Sequence, residues 1–234
     1  LLPYFRGIAL ALFLIALARP QTSSSWQDVT SEGIDMIISL DISTSMLAED
    51  LKPNRLESSK DVAIDFIDER PNDRIGLVVF SGESFTQCPL TTDHDVLKNL
   101  FKDLKCGMLA DGTAVGLGLA TAINRLKESS AKSKVIILLT DGANNAGEMD
   151  PITAAEIAKT MGIRVYTVGV GTLGMAPYPF KDLFGRTVYQ NVEVKIDEKM
   201  MRQISEISGG KYFRASSNSK LRKIYEEIDQ MEKT

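Results

Sequence analysis

Four short apolar runs stand out along the chain: 34–40 (IDMIISL), 75–80 (IGLVVF), 135–140 (VIILLT) and 165–170 (VYTVGV). They are rich in β-branched residues and nearly uninterrupted by polar positions, as expected of strands covered on both faces in a parallel sheet. Between and after them the apolar spacing lengthens to that of helices. Val96, Leu97, Leu100, Phe101 and Leu104 fall on one face of 95–104, and Leu119, Ala122, Ile123 and Leu126 on one face of 116–127. Asp150-Pro151 ahead of ITAAEIAKTM and Gly162 has a capping Asp, Pro in the first turn and Gly at the end. Further helices are expected over 197–208, before Gly209-Gly210, and over 220–231, where Leu221, Ile224, Tyr225, Ile228 and Met231 keep the 3.6 period. This alternation predicts an α/β fold: a doubly wound, mostly parallel sheet with helices on both faces, over 34–234.

The N-terminal segment has a different character. Residues 1–18 carry one charge, Arg6, and 7–18 have no polar side chain. A bilayer span needs about 20 apolar residues, so 1–20 is expected to form an apolar helix that anchors the chain in a membrane. A secretory signal remnant, with the small-x-small pattern Ala16-Leu17-Ala18, and a buried helix are the alternatives. Cleavage after Ala18 would leave Arg19-Pro20 beside the scissile bond, which favours the anchor. Residues 21–33 (QTSSSWQDVTSEG) read as a polar linker. Arg6 and Arg19 flank the segment with one charge each, so charge asymmetry gives no orientation.

Composition narrows the chemistry. The 234 residues carry 27 Lys plus Arg against 31 Asp plus Glu, a formal charge of −4, which argues against a basic nucleic-acid binder. A single His excludes a multi-His zinc site and leaves every His role to His94; that residue, between Asp93 and Asp95, reads as a surface position at a helix start. Two Cys, 88 and 106, allow at most one disulfide, in an oxidising compartment; buried free thiols are the alternative.

In open parallel sheets, ligands bind at the carboxyl ends of the strands. Two of the runs lead into Asp there: the first enters Asp41-Ile42-Ser43-Thr44-Ser45, and the third ends Thr140-Asp141-Gly142. If both strands are central, Asp41 and Asp141 converge with the hydroxyls of Ser43 and Ser45. Extended alternation would point Asp41, Ser43 and Ser45 inward, and Ile42 and Thr44 away. Two carboxylates with neutral oxygens form a hard ligand set suited to Mg2+ or Mn2+, with Ca2+ a further candidate, and poorly suited to Zn2+. The alternative assigns Asp41, Asp141 and Thr113 to helix capping.

Asp41-x-Ser43-x-Ser45, Thr113 in Asp111-Gly112-Thr113, and Asp141 in Leu139-Thr140-Asp141-Gly142 resemble the metal-ion-dependent adhesion site of von Willebrand factor A domains. The segments ending Ala18-Arg19-Pro20-Gln21, FTQCPLTT from Phe85, and Gly209-Gly210-Lys211-Tyr212-Phe213 further resemble BatA-type aerotolerance membrane proteins of bacteria. The resemblance implies that Ser43, Ser45 and Thr113 bind the metal through hydroxyls, that Asp41 and Asp141 act directly or through water, and that a partner's carboxylate completes the coordination. It also implies a non-enzymatic protein-binding module in the cytoplasmic membrane, with its domain outside the cytoplasm and a further span beyond Thr234. Related membrane proteins of the same operon and a MoxR-type AAA+ ATPase are the implied partners.

Other signals carry less. A phosphoaspartyl phosphatase would want a second carboxylate at position 43, where Ser stands; a metal-dependent enzyme acting on phosphorylated or carboxylated substrates is the alternative function. Gly169-Val170-Gly171-Thr172-Leu173-Gly174 fits G-x-G-x-x-G, but Met175-Ala176-Pro177-Tyr178-Pro179 cannot open the required helix, so a loop is expected. Asp141, Asn144, Asn145, Glu148 and Asp150 lack calcium-loop spacing and read as a solvated turn. Residues 172–194 read as a hairpin turning near Gly185-Arg186. Its aromatics, Tyr178, Phe180, Phe184 and Tyr189, are expected to pack on the domain or to form a partner surface.

Overall fold

The structure, a computed structural model, describes residues 4–7, 9, 10, 13, 33–172, 174–182, 184–194 and 196–232. Leu1–Ser31 and Glu32–Thr234 are separate compact units. In the first, the described residues are helical, and Tyr4, Phe5, Leu10 and Phe13 are each more than 60% exposed. Most of the expected anchor over 1–20 and of the linker over 21–33 lies outside the described residues. Among the described residues no helix is long and apolar enough to cross a membrane.

The second unit is built on six strands: β1 (Asp35–Asp41), β2 (Arg74–Phe80), β3 (Ser84–Thr91), β4 (Lys134–Thr140), β5 (Ile163–Val170) and, late in the chain, Tyr212–Ala215. Between β5 and the last of these lies a separate antiparallel hairpin, β6 (Gly174–Lys181) and β7 (Thr187–Val194), so the last strand is β8. The sheet order is β3-β2-β1-β4-β5-β8, with all pairs parallel except β2–β3. The expected doubly wound, mostly parallel sheet is what forms, and the apolar runs became its strands to within two residues.

Alternate strand residues feed two cores. Ile38, Leu40, Leu77, Val79, Ile137 and Leu139 pack on one face against α1 (Arg55–Asp68), α2 (His94–Asp103) and the C-terminal helix Asn218–Glu232. Ile37, Val78, Ile136, Leu138 and Val165 pack on the other against α3 (Val115–Leu126), α4 (Pro151–Thr160) and α5 (Glu198–Ser208); the C-terminal helix is α6. Every helix expected over 34–234 is present. Asp150 caps α4 by accepting the Thr153 backbone N–H at 2.8 Å. Val96, expected on the buried face of its helix, is 49% exposed, because Leu97, Phe101 and Leu104, with Leu100 partly buried beside them, make the stripe that reaches the core.

Three elements lie outside the sequence expectations: α1, the edge strand β3 and the four-residue β8. Asn54 caps α1 by accepting the Glu57 N–H at 2.8 Å, a local start signal. Thr44–Leu47 form a 3-10 turn, so Thr44 does not point away as extended alternation required; its hydroxyl bonds Asp111 at 3.1 Å.

The start of α3 is held by backbone contact. A Cβ on Gly116 would stand 2.0 Å from the Met149 carbonyl oxygen, so α3 and the approach to α4 meet main chain to main chain. Gly116→Ala is expected to destabilise the domain by about 1–3 kcal/mol through overpacking. Urea unfolding measures the loss, and wild-type stability in the variant would contradict the packing described.

Candidate metal centre

The sheet winds in opposite directions from β1 and β4, which lie side by side. At such a switch point the loops leaving the carboxyl ends diverge and open a crevice. Asp41 is the last residue of β1 and Asp141 follows the last residue of β4, and both are buried, at 0% and 2% exposed. The two carboxylates therefore meet at this edge for topological reasons.

Their hydrogen bonds run through the residues between them. Asp41 Oδ1 accepts the Ser43 backbone N–H at 2.8 Å, and Oδ2 accepts the Thr140 hydroxyl at 2.5 Å. Ser43 Oγ and Ser45 Oγ lie 3.0 Å apart. Ser45 Oγ donates to Asp141 Oδ1 at 2.7 Å. Asp41, Ser43, Ser45 and Asp141 thus form one continuous cluster. Thr113 joins from the loop before α3: it is buried and lines the same cavity as Ser45 and Asp141. Asn145 braces it, accepting the Thr113 N–H at 2.8 Å while its own N–H donates to the Thr113 carbonyl at 3.0 Å.

These positions bear on the capping alternative. The N-cap of α3 is Ala114, without a side-chain cap bond, so Thr113 does not cap that helix. The one backbone N–H that Asp41 accepts is that of Ser43 in a short turn, and Asp141 is engaged by side chains. The 141–150 segment acts as a bracing turn, with Asn145 on Thr113 and Asp150 on α4. Of the 169–174 glycines, Gly169 lies within β5 and Gly174 opens β6, so the expected loop shrinks to the passage between them, and among the described residues no helix follows β5 there. Cys88 and Cys106 are both free thiols. His94 is the first residue of α2, half-buried, with its ring Nε2 3.0 Å from the Asp73 carbonyl.

Two residues of the centre, Arg55 and Asp50, were absent from the sequence expectations. Arg55, the first residue of α1, is 3% exposed, and its Nη1 donates to Asp141 Oδ2 at 2.6 Å. Its Nε and Nη2 donate to the two oxygens of Asp50, both at 2.7 Å. The Asn54–Glu57 capping signal was the available clue to the helix; nothing local marks the arginine as buried.

Electrostatics follow from this inventory. Asp50 and Asp141 share one guanidinium, that of Arg55, while Asp41 beside them is bonded only by neutral donors. Burial works against ionising Asp50, but the Arg55 fork and the Thr172 donors outweigh it and hold its carboxyl below the ordinary range. Burial, and then the charge of Asp141, push Asp41 up to about 7. Burial also raises Asp141, against the pull of Arg55. Full ionisation leaves two uncompensated negative charges, a deficit that a divalent cation matches. The donors are two carboxylates and three hydroxyls, all hard oxygens, and among the described residues no three His, Cys, Asp or Glu side chains gather as a softer or more carboxylate-rich alternative.

The cluster opens into a cavity of about 510 Å3. Ser45, Arg55, Thr113 and Asp141 line one side, and Tyr178, Phe180, Val192 and Val194 of the hairpin line the other. The Tyr178 and Phe180 rings pack 4.9 Å apart. Phe184 at the turn and Tyr189 are 82% and 55% exposed, so the hairpin divides its aromatics between the cavity wall and open surface.

A model of the von Willebrand factor type A domain matches residues 35–227. Among solved structures, the chain is similar to BatB of Bacteroides thetaiotaomicron, at 34% identity and TM-score 0.73 over 86% of this chain and all of that one. It is also similar to an aerotolerance-related membrane protein of Bacteroides fragilis, at 30% identity and TM-score 0.72 over 85% of this chain and 98% of that one. An uncharacterized protein of Borreliella burgdorferi is 33% identical over 210 residues, 89% of this chain; the chain spans only 62% of that relative's length.

The raised carboxyls fix a pH response. Asp41 binds its proton more tightly folded, at about 7, than at its ordinary 3.8. Its contribution to stability is therefore full below pH 4 and is lost as pH rises through 7. In chelator, this group is expected to lower the melting temperature across that window, and Asp41→Asn to flatten the slope. A slope unchanged by Asp41→Asn would contradict the assignment.

Proposed function

The chain belongs to the von Willebrand factor type A domain family, and from that premise we propose that it is a divalent-metal-dependent protein-binding module in which Asp41, Ser43, Ser45, Thr113 and Asp141 hold the ion. The observation that carries this reading is the charge deficit at the switch point: Asp41 and Asp141, both buried, and the enclosed side chain of Asp50 face a single guanidinium there, with hydroxyls packed among them. Burying unpaired charge is expensive unless something neutralises it.

The division of labour follows from the residues. Ser43, Ser45 and Thr113 offer neutral oxygens. Asp41 is held by Thr140 and the Ser43 N–H, and Asp141 by Ser45 and Arg55, so both carboxylates are oriented in advance. A divalent ion held mostly by neutral oxygens keeps enough positive charge to attract an incoming Asp or Glu. Mg2+ and Mn2+ suit these hard donors. Tyr178, Phe180, Val192 and Val194 give the hairpin wall a largely apolar surface, with Glu193 also in the lining, and fit an acidic side chain that arrives on a segment with an apolar neighbour. Such a site favours binding over turnover.

The likeness to aerotolerance-related membrane proteins supports placing the module at the bacterial cytoplasmic membrane. Residues 1–20 would be its anchor, and the domain would lie outside the cytoplasm. Related membrane proteins and a MoxR-type ATPase are the partners this reading anticipates.

Thermal unfolding with Mg2+ or Mn2+ at about one hundred times the dissociation constant should show about 2.7 kcal/mol of added stability. Asp41→Ala and Ser43→Ala should lose that gain while still melting cooperatively. No response of the wild type to any of Mg2+, Mn2+ or Ca2+ would overturn the reading, and Asp41-dependent turnover of phosphoesters would replace it with an enzyme.

A further inference from the structure

The metal centre and the hairpin are joined through the loop between Ser45 and Arg55. Arg55 binds Asp141 at one end of its guanidinium and grips Asp50 with a two-point fork at the other. Asp50 Oδ2 also accepts the backbone N–H of Thr172 at 2.7 Å and its hydroxyl at 3.1 Å. Thr172 lies two residues ahead of β6. One residue before Asp50, the Glu49 N–H donates to the carbonyl of Pro177, within β6, at 2.8 Å. Gly171 makes room for this junction. Its φ is +136°, and a Cβ there would lie 2.8 Å from Arg55 Nη2.

We propose that Arg55 and Asp50 are positioning residues that link metal occupancy to the hairpin wall of the binding cavity, a role that rests on the metal reading above. Arg55 occupies Oδ2 of Asp141 and leaves Oδ1, the oxygen bonded to Ser45, to face the ion. A planar guanidinium sets both carboxylates at fixed angles, which a lysine ammonium cannot do. Ligation by Ser43 and Ser45 stiffens the front of the same loop whose rear, at Glu49 and Asp50, holds β6. Metal binding therefore orders the hairpin, and the wall meets a partner in a set posture only when the ion is present.

Hydrogen exchange over 172–194, with Mn2+ and with chelator, reads the coupling directly, and the thermal response to Mn2+ is followed in parallel. In the wild type, Mn2+ should slow exchange in this segment several-fold. Asp50→Asn keeps the size of the side chain and should retain the Mn2+ stabilisation while hairpin exchange becomes fast and independent of the ion. Arg55→Lys keeps the charge and should weaken Mn2+ binding by about tenfold or more. A wild type stabilised by Mn2+ whose hairpin exchange does not change, or an Asp50→Asn hairpin that responds as the wild type does, would overturn the coupling and leave the metal site standing. A wild type with no thermal response to Mn2+ would overturn both.

Discussion

Two carboxylates buried side by side, with too little positive charge to balance them, are the constraint on which this domain turns. Asp41 and Asp141 are carried to the ends of adjacent parallel strands where the sheet reverses its winding. Burying ionised carboxylates is costly, and the protein offsets part of that cost with hydroxyl donors and a single guanidinium. What is left over is chemistry: Asp41 is pushed up to about 7, so its charge is poorly compensated where it stands. The fold supplies the convergence, and the local sequence decides that the groups converging are hard oxygens.

The hairpin gives this otherwise familiar edge a particular shape. Without β6 and β7 the crevice would open over the strand ends; with them it becomes a walled cavity, with the carboxylate and hydroxyl cluster on one side and a largely apolar wall that also holds Glu193 on the other. The same short loop that offers Ser43 and Ser45 also bonds the hairpin through Glu49 and Asp50. The Ser43–Ser45 loop, the arginine and the hairpin are therefore one hydrogen-bonded assembly.

Much of this was legible in the residues because burial leaves a plain signature. Strands covered on both faces must be apolar throughout, and the four central ones announced themselves. The edge strand β3 did not: it carries Gln87 and Pro89, and only part of it is buried, so no uniform run exists. β8 is too short to register. Asp41, Ser43, Ser45 and Asp141 were readable because strand ends in such sheets are where ligands bind, whereas Thr113 came from family resemblance. Arg55 was not readable, since an arginine at a helix start looks like a surface residue until its partners, 86 positions away at Asp141 and five away at Asp50, are seen. Thr44 was misassigned because a 3-10 turn replaces the extended backbone that alternation assumes.

The most direct test of the central claim is anomalous diffraction from crystals of the domain grown with Mn2+. The account predicts a single strong Mn2+ peak within coordinating distance of oxygens from Asp41, Ser43, Ser45, Thr113 and Asp141, directly or through water. A fully ordered cluster without such a peak at saturating Mn2+, or a peak bound elsewhere and absent from these side chains, would contradict it.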